Sequence, residues 1–94
     1  MPDRPMLLSG EQIRAARAFG RLEQAGLARM AGVSLETIKR LERIRGPVDA
    51  NSQTLIAIVE ACRAIGIAFE SGPDVASVRM TLPVSLARRS TLAA

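Results

Sequence analysis

Residues 24–43 read QAGLARMAGVSLETIKRLER, and the placing of small and apolar residues within them decides the fold. Ala28 follows Gln24 by four positions, Gly32 follows Ala28 by four, and Ile38 and Leu41 stand six and nine beyond Gly32. A small residue midway along one helix lets a second helix cross close to it. A glycine at the corner takes positive φ without steric cost, and an apolar pair three apart plants the second helix on a core. The spacing predicts two helices joined by a tight turn, an arrangement that commonly holds its second helix in a DNA major groove.

Upstream, Ser9-Gly10-Glu11-Gln12 forms a capping box, in which the Ser9 hydroxyl accepts from the Gln12 N–H while the Gln12 side chain reaches back. Leu8 and Ile13 occupy the staple positions around it. A first helix is expected over 10–19, burying Ile13 and Ala16 with Phe19 as a third candidate, and Gly20 is placed to end it. The second helix is expected over 24–31. Glu23 is a weak N-cap whose charge nonetheless suits the positive helix end, and Gly26 costs about 1 kcal/mol against Ala. Gly32 and Val33 make the turn, Ser34 caps the third helix, and that helix reaches Arg43 or Ile44.

Downstream, residues 45–50 hold Gly46 and Pro47 and read as a loop. Asn51 or Ser52 caps a fourth helix whose buried stripe is Leu55, Ile58, Val59, Cys62 and Ile65, with Gly66 ending it. Residues 67–70 and 78–81 read as two strands around a turn at 71–74. A lone hairpin is marginal in water, so this one needs helix 4 or a second subunit beside it. The expected organisation is a flexible arm (1–8), a helical domain (9–66), a hairpin (67–81) and a tail (82–94).

The chain has 94 residues, 48% of them hydrophobic but only 2% aromatic, so its core must be built of small aliphatics, which favours packed helices. Thirteen Lys and Arg against nine Asp and Glu give a net charge of +4. All the cations but Lys39 are arginines, which suits bidentate contacts to phosphate and guanine, although a GC-rich coding sequence would give the same bias. With no histidine and the single Cys62, there is no His-based triad, no Cys/His zinc site and no internal disulfide. Cys62 reads as a buried structural thiol. No stretch is long and apolar enough to span a bilayer and no signal-peptide core is present. A cytoplasmic, nucleoid-associated protein without cofactor or metal is the expectation.

Over residues 14–81 the sequence resembles the repressor/Cro-like (XRE-type) helix-turn-helix family. The resemblance rests on Leu27-Ala28, Ala31-Gly32-Val33-Ser34, Ile38 and Leu41-Glu42, with Gly66-Ile67-Ala68-Phe69 and Val78-Arg79-Met80 matching the hairpin of its short members. It implies a mainly α fold, a compact four-helix domain followed by a short C-terminal β-hairpin. It also implies that Leu35, Glu36 and Arg40 face the bases, with Thr37 and Lys39 at the margins. The chemistry is coherent: arginine pairs with guanine O6 and N7, glutamate accepts from cytosine N4, and leucine meets a thymine methyl. Phosphate contacts are implied at Gln24, and are expected at Arg21, Ser34, Arg43, Arg45, Asn51 and Ser52 around that helix. Arg17 and Glu42 stand where the family ties helix 1 to helix 3, a scaffold role. Glu23, Gly26 and the Gly20-Arg21 junction depart from the family pattern.

The expected function is a transcriptional regulator binding double-stranded DNA as a homodimer on a palindromic operator, with strand edges in the hairpin and tail as the dimer surface. The alternative is an antitoxin or anti-repressor that holds a toxin or other protein partner through its hairpin and tail. An enzyme is not expected, because no activated nucleophile or general base stands at motif spacing and Glu60 and Glu70 belong to no constellation.

Overall fold

In the computed structural model, residues 8–71 and 76–81 are described. The expected arm residues 1–7, turn residues 72–74 and tail 82–94 lie outside them. Four helices and one hairpin follow in order: α1 (Gly10–Gly20), α2 (Gln24–Ala31), α3 (Leu35–Glu42), α4 (Ser52–Arg63), β1 (Ile67–Ser71) and β2 (Ala76–Met80).

Local signals explain most element ends. Ser9 and Gln12 form the capping box of α1, with Gln12 N–H to Ser9 Oγ at 3.0 Å and Ser9 N–H to Gln12 Oε1 at 2.9 Å. Ser34 caps α3 by accepting from Thr37 N–H at 3.0 Å. Asn51, not Ser52, caps α4, accepting from Thr54 N–H at 2.8 Å. Glu23 makes no side-chain cap bond at α2. Gly32 closes α2 in the left-handed region at φ 71°, and open space surrounds its Cα, so backbone conformation alone selects glycine there.

The end of α1 departs from expectation. Gly20 is the last helical residue, and the left-handed cap is Arg21 at φ 54°, ψ 43°. Gly20 serves a different purpose: a Cβ there would come within 2.9 Å of Ile65 Cδ1 and 3.3 Å of Ile67 Cδ1. Gly20 packs closely against the side-chain ends of Ile65 and Ile67, which a Cβ would have to displace, and the left-handed turn falls to the next residue. Seven positions separate Ile13 from Gly20, so both lie on the inner stripe. Phe19 falls outside that stripe and is 44% exposed rather than buried.

Every helix contributes a side chain of 0% exposure to one core: Ile13 from α1, Leu27 from α2, Ile38 and Leu41 from α3, Ile58 from α4. On α4 the buried stripe is Leu55, Ile58, Ala61 and Cys62 with Val59 half-buried, and the helix ends at Arg63 rather than at Gly66, so the half-buried Ile65 lies beyond it. Leu8, read as the end of a flexible arm and also as a staple, is 2% exposed within the core. Its carbonyl accepts from Val48 N–H at 2.8 Å. The loop after α3 is tied to the start of α1 in two further places. Gly10 N–H donates to Gly46 O at 3.2 Å, and Gly46 N–H donates to Glu11 Oε1 at 3.0 Å. The Gly46 bond is the main reason the Glu11 carboxyl sits below its ordinary pKa.

The strands pair antiparallel in the register Ile67↔Met80 through Ser71↔Ala76. Each begins or ends a little off the expected bounds, β2 starting at Ala76 rather than at residue 78. Ile67 is buried, and Phe69 and Val78 pack against the core. Helix α1 carries the hairpin through Gln12, which is only 4% exposed. Its Nε2 donates to Ser77 O at 3.0 Å, Ser71 Oγ at 3.1 Å and Glu70 O at 3.2 Å. One side chain therefore caps its own helix and fastens the hairpin to it.

Candidate nucleic-acid interface

Helix α3 is held from behind and open in front. Ile38 and Leu41 are fully buried and Glu42 is 4% exposed. Glu42 takes a bidentate contact from Arg17, Nε to Oε2 at 2.6 Å and Nη2 to Oε1 at 2.9 Å. The carboxylate raises the Arg17 pKa above its ordinary value, chiefly through these hydrogen bonds. Arg17 Nη1 also donates to Leu22 O at 3.1 Å, so the same guanidinium braces α1, the link to α2, and α3. This is the Arg17–Glu42 tie expected from the resemblance.

On the other side of α3, Leu35 (36% exposed), Glu36 and Arg40 all face outward, with Arg43 next along. Glu36 and Arg40 stand four apart yet form no ion pair among the described residues. Their polar groups are thus available to a partner. Thr37 is half-buried, and its hydroxyl lies 2.8 Å from Ser34 Oγ. Lys39 is half-buried at the edge of an open cleft, which it lines with Arg14, Gln24, Glu42 and Arg43.

The expected phosphate contacts divide into two groups. Arg21, Arg43, Arg45 and Ser52 are exposed. Gln24, Ser34 and Asn51 have side chains engaged within the protein. Gln24 Nε2 donates to Glu42 Oε1 at 3.1 Å, turning the amide inward to serve the buried carboxylate. Ser34 and Asn51 spend their oxygens on caps. Gln24 is therefore a strut between α2 and α3, although the first-turn N–H groups of α2, which lack a side-chain cap, still point out of its positive end.

Sequence reading missed Arg14, which is exposed beside Lys39 and Arg43. The available signal was its spacing, one turn before Arg17 on the helix that faces α3. The cleft brings Arg14, Lys39 and Arg43 together, while its one acidic member, Glu42, is already neutralised by Arg17. Such a surface attracts polyanions. No cluster of metal-ligating side chains occurs among the described residues, and no described helix is long and apolar enough to cross a membrane. No protein-family profile matches the sequence, and no curated protein matches it as a relative.

Proposed function

We propose that the chain is a sequence-specific regulator that binds double-stranded DNA, a helix-turn-helix protein of the repressor/Cro-like type that inserts α3 into the major groove. The observation that carries this reading is the two-sided character of α3. Its inner residues Ile38, Leu41 and Glu42 are locked, while Leu35, Glu36 and Arg40 project with unpaired, base-compatible chemistry. Arg14, Lys39, Arg43 and Arg45 supply positive charge around it, which suits phosphate positioning on either side of a base-reading helix. One eight-residue helix reads few base pairs, so two copies on a palindromic site make the operator.

Selection of bound sequences from random duplex DNA at defined salt tests the reading. Arg40→Ala should relax preference at one base pair, with a loss of about 1–3 kcal/mol of discrimination. Arg43→Ala should weaken all sequences alike and lower the salt slope by about one. An unselected pool at low salt, or binding indifferent to both substitutions, overturns it.

A further inference from the structure

The loop that follows α3 is fastened to the start of α1 at the very place where it carries cations. Ser9 and Pro47 form an isolated antiparallel bridge. Beside it, Val48 N–H donates to Leu8 O at 2.8 Å and Gly10 N–H donates to Gly46 O at 3.2 Å. These ties need no particular side chain, whereas the next one does: Glu11 Oε1 accepts from Gly46 N–H at 3.0 Å. That N–H belongs to the planar peptide unit that begins at the Arg45 carbonyl. Holding it fixes how the backbone leaves Arg45. Gly46 stands at φ 83°, and glycine samples both hands of φ freely, so an outside bond has to hold this bend.

Glu11 is exposed and forms no ion pair among the described residues. It stands three before Arg14 on α1, one turn from the side chain that meets Lys39 and Arg43 in the open cleft. The Gly46 bond first, with smaller help from the positive charges of Arg14 and Arg45, holds its carboxyl below the ordinary pKa. A carboxylate so placed suits the N-terminus of α1, but it opposes a polyanion brought to the surrounding cations.

We infer that Glu11 is a positioning residue for the phosphate contact: by holding the Arg45–Gly46 peptide it presents Arg45 to the DNA backbone. The inference rests on the duplex-binding reading and adds to it a residue that works without touching DNA. Ordering a rotamer-rich side chain costs affinity, and a backbone fixed beforehand lowers that cost. The carboxylate therefore has two opposed effects. Its reach to Gly46 strengthens binding through Arg45, and its charge weakens binding directly. Variants that change one property at a time should give opposite signs.

Fluorescence anisotropy of the full chain on a random-sequence duplex, over a salt series, reads both effects. Glu11→Asp keeps the charge but is one methylene too short for the Gly46 bond, and it should bind about 2- to 10-fold more weakly. Glu11→Gln keeps an acceptor oxygen at the same reach without the charge, and it should bind at least as tightly as the wild type. Arg45→Ala should flatten the slope of log affinity against log salt by about one. Adding Glu11→Asp to Arg45→Ala should weaken binding no further. In the free protein, hydrogen exchange at the Gly46 amide should quicken in Glu11→Asp and stay unchanged in Glu11→Gln. Asp suits the first turn of a helix as Glu does, so helical circular dichroism should be intact in both.

Undiminished binding by Glu11→Asp overturns the proposal, because the Gly46 bond then serves the scaffold alone. So does a loss in Glu11→Gln as large as in Glu11→Asp, or a loss in Glu11→Asp that persists in full on the Arg45→Ala background. Gly46 exchange unchanged in Glu11→Asp overturns it as well. The duplex needs no preferred sequence, so the operator reading is scored separately by selection. The full pattern in a chain that selects no sequence defeats the operator reading alone. Selection by a chain without the pattern defeats the positioning role alone, and a wild type that binds no duplex at low salt defeats both.

Discussion

Replacing Glu42 by glutamine isolates the contact that positions α3. The volume is kept, but one acceptor oxygen becomes an NH2 group and the charge is lost. Glu42 accepts from Arg17 Nε at 2.6 Å, Arg17 Nη2 at 2.9 Å and Gln24 Nε2 at 3.1 Å, and it is 4% exposed. In either amide orientation an NH2 group faces one of these donors. Breaking a buried pair by removing one partner costs about 3–5 kcal/mol. Arg17 is 23% exposed, so water partly solvates its orphaned guanidinium and the lower end applies. The expected loss for Glu42→Gln is about 3 kcal/mol, or roughly 12–24 °C in Tm for a domain of this size. Urea unfolding followed by circular dichroism measures it. Arg17→Met should cost at least as much near neutral pH, since it buries a carboxylate without a cation. Arg17→Met with Glu42→Leu should come within about 1 kcal/mol of wild type. A Glu42→Gln protein within about 0.5 kcal/mol of wild type, or single effects that simply add in the double variant, refutes the reasoning.

Three further outcomes are expected. Gln12→Glu keeps the acceptor for Ser9 N–H but sets a carboxylate against the carbonyls of Glu70 and Ser77. It should cost about 2–4 kcal/mol at neutral pH and recover on acidification, because the folded pKa of the new carboxyl is raised. Unfolding curves from pH 7 down to about 4 test this, and a pH-independent loss rejects it. Arg21→Gly relieves a left-handed residue at φ 54°, gaining up to about 1 kcal/mol after the entropy cost of glycine. Under the proposed function the same variant binds DNA more weakly, so stability and affinity should move in opposite directions; a less stable variant defeats the strain argument. Cys62 is 1% exposed, and burial pushes its thiol up to about 11. Alkylation at neutral pH should therefore follow the unfolding transition in urea, and rapid labelling of the native protein would show otherwise.

Signals confined to a few neighbouring residues were legible in the sequence. The Ser9–Gln12 box, the Ser34 cap and the Gly32 turn depend on partners within one helical turn, and each appears in place. The Arg17–Glu42 tie spans 25 residues and was accessible only through the family resemblance. What stayed hidden depends on distant partners. Nothing near Gln12 tells that its amide meets carbonyls 58 and 65 residues away. Gly20 looked like a helix terminator, because the close approach of Ile65 and Ile67, which leaves little room for a Cβ, is set by a part of the chain 45 residues and more away. Gln24 was read as facing DNA because its position carried that role; its inward turn follows from Glu42 having an acceptor oxygen to share. Leu8 was drawn into the core by Val48, across a loop whose path the sequence leaves open.

Helix α1 links the two surfaces on which the proposed function depends. Gln12 fastens it to the hairpin and Arg17 fastens it to α3. Five residues at about 100° each separate these side chains by about 140° around the helix, so they leave on different sides and engage different elements. Both bonds are buried or half-buried and multidentate, and Ile13 and Ala16 between them are locked in the core. The hairpin and α3 are thus both bonded to the same helix, the first through Gln12 and the second through Arg17. If two copies join through the hairpin, the separation and tilt of their α3 helices are set through α1, and with them the spacing of the half-sites. Weakening Gln12 should then blur half-site spacing while leaving the preference within each half-site intact, because Leu35, Glu36 and Arg40 stand on a helix that Arg17 still holds. Loss of preference within the half-site, at unchanged spacing, would mean that the hairpin and α3 are not coupled in this way.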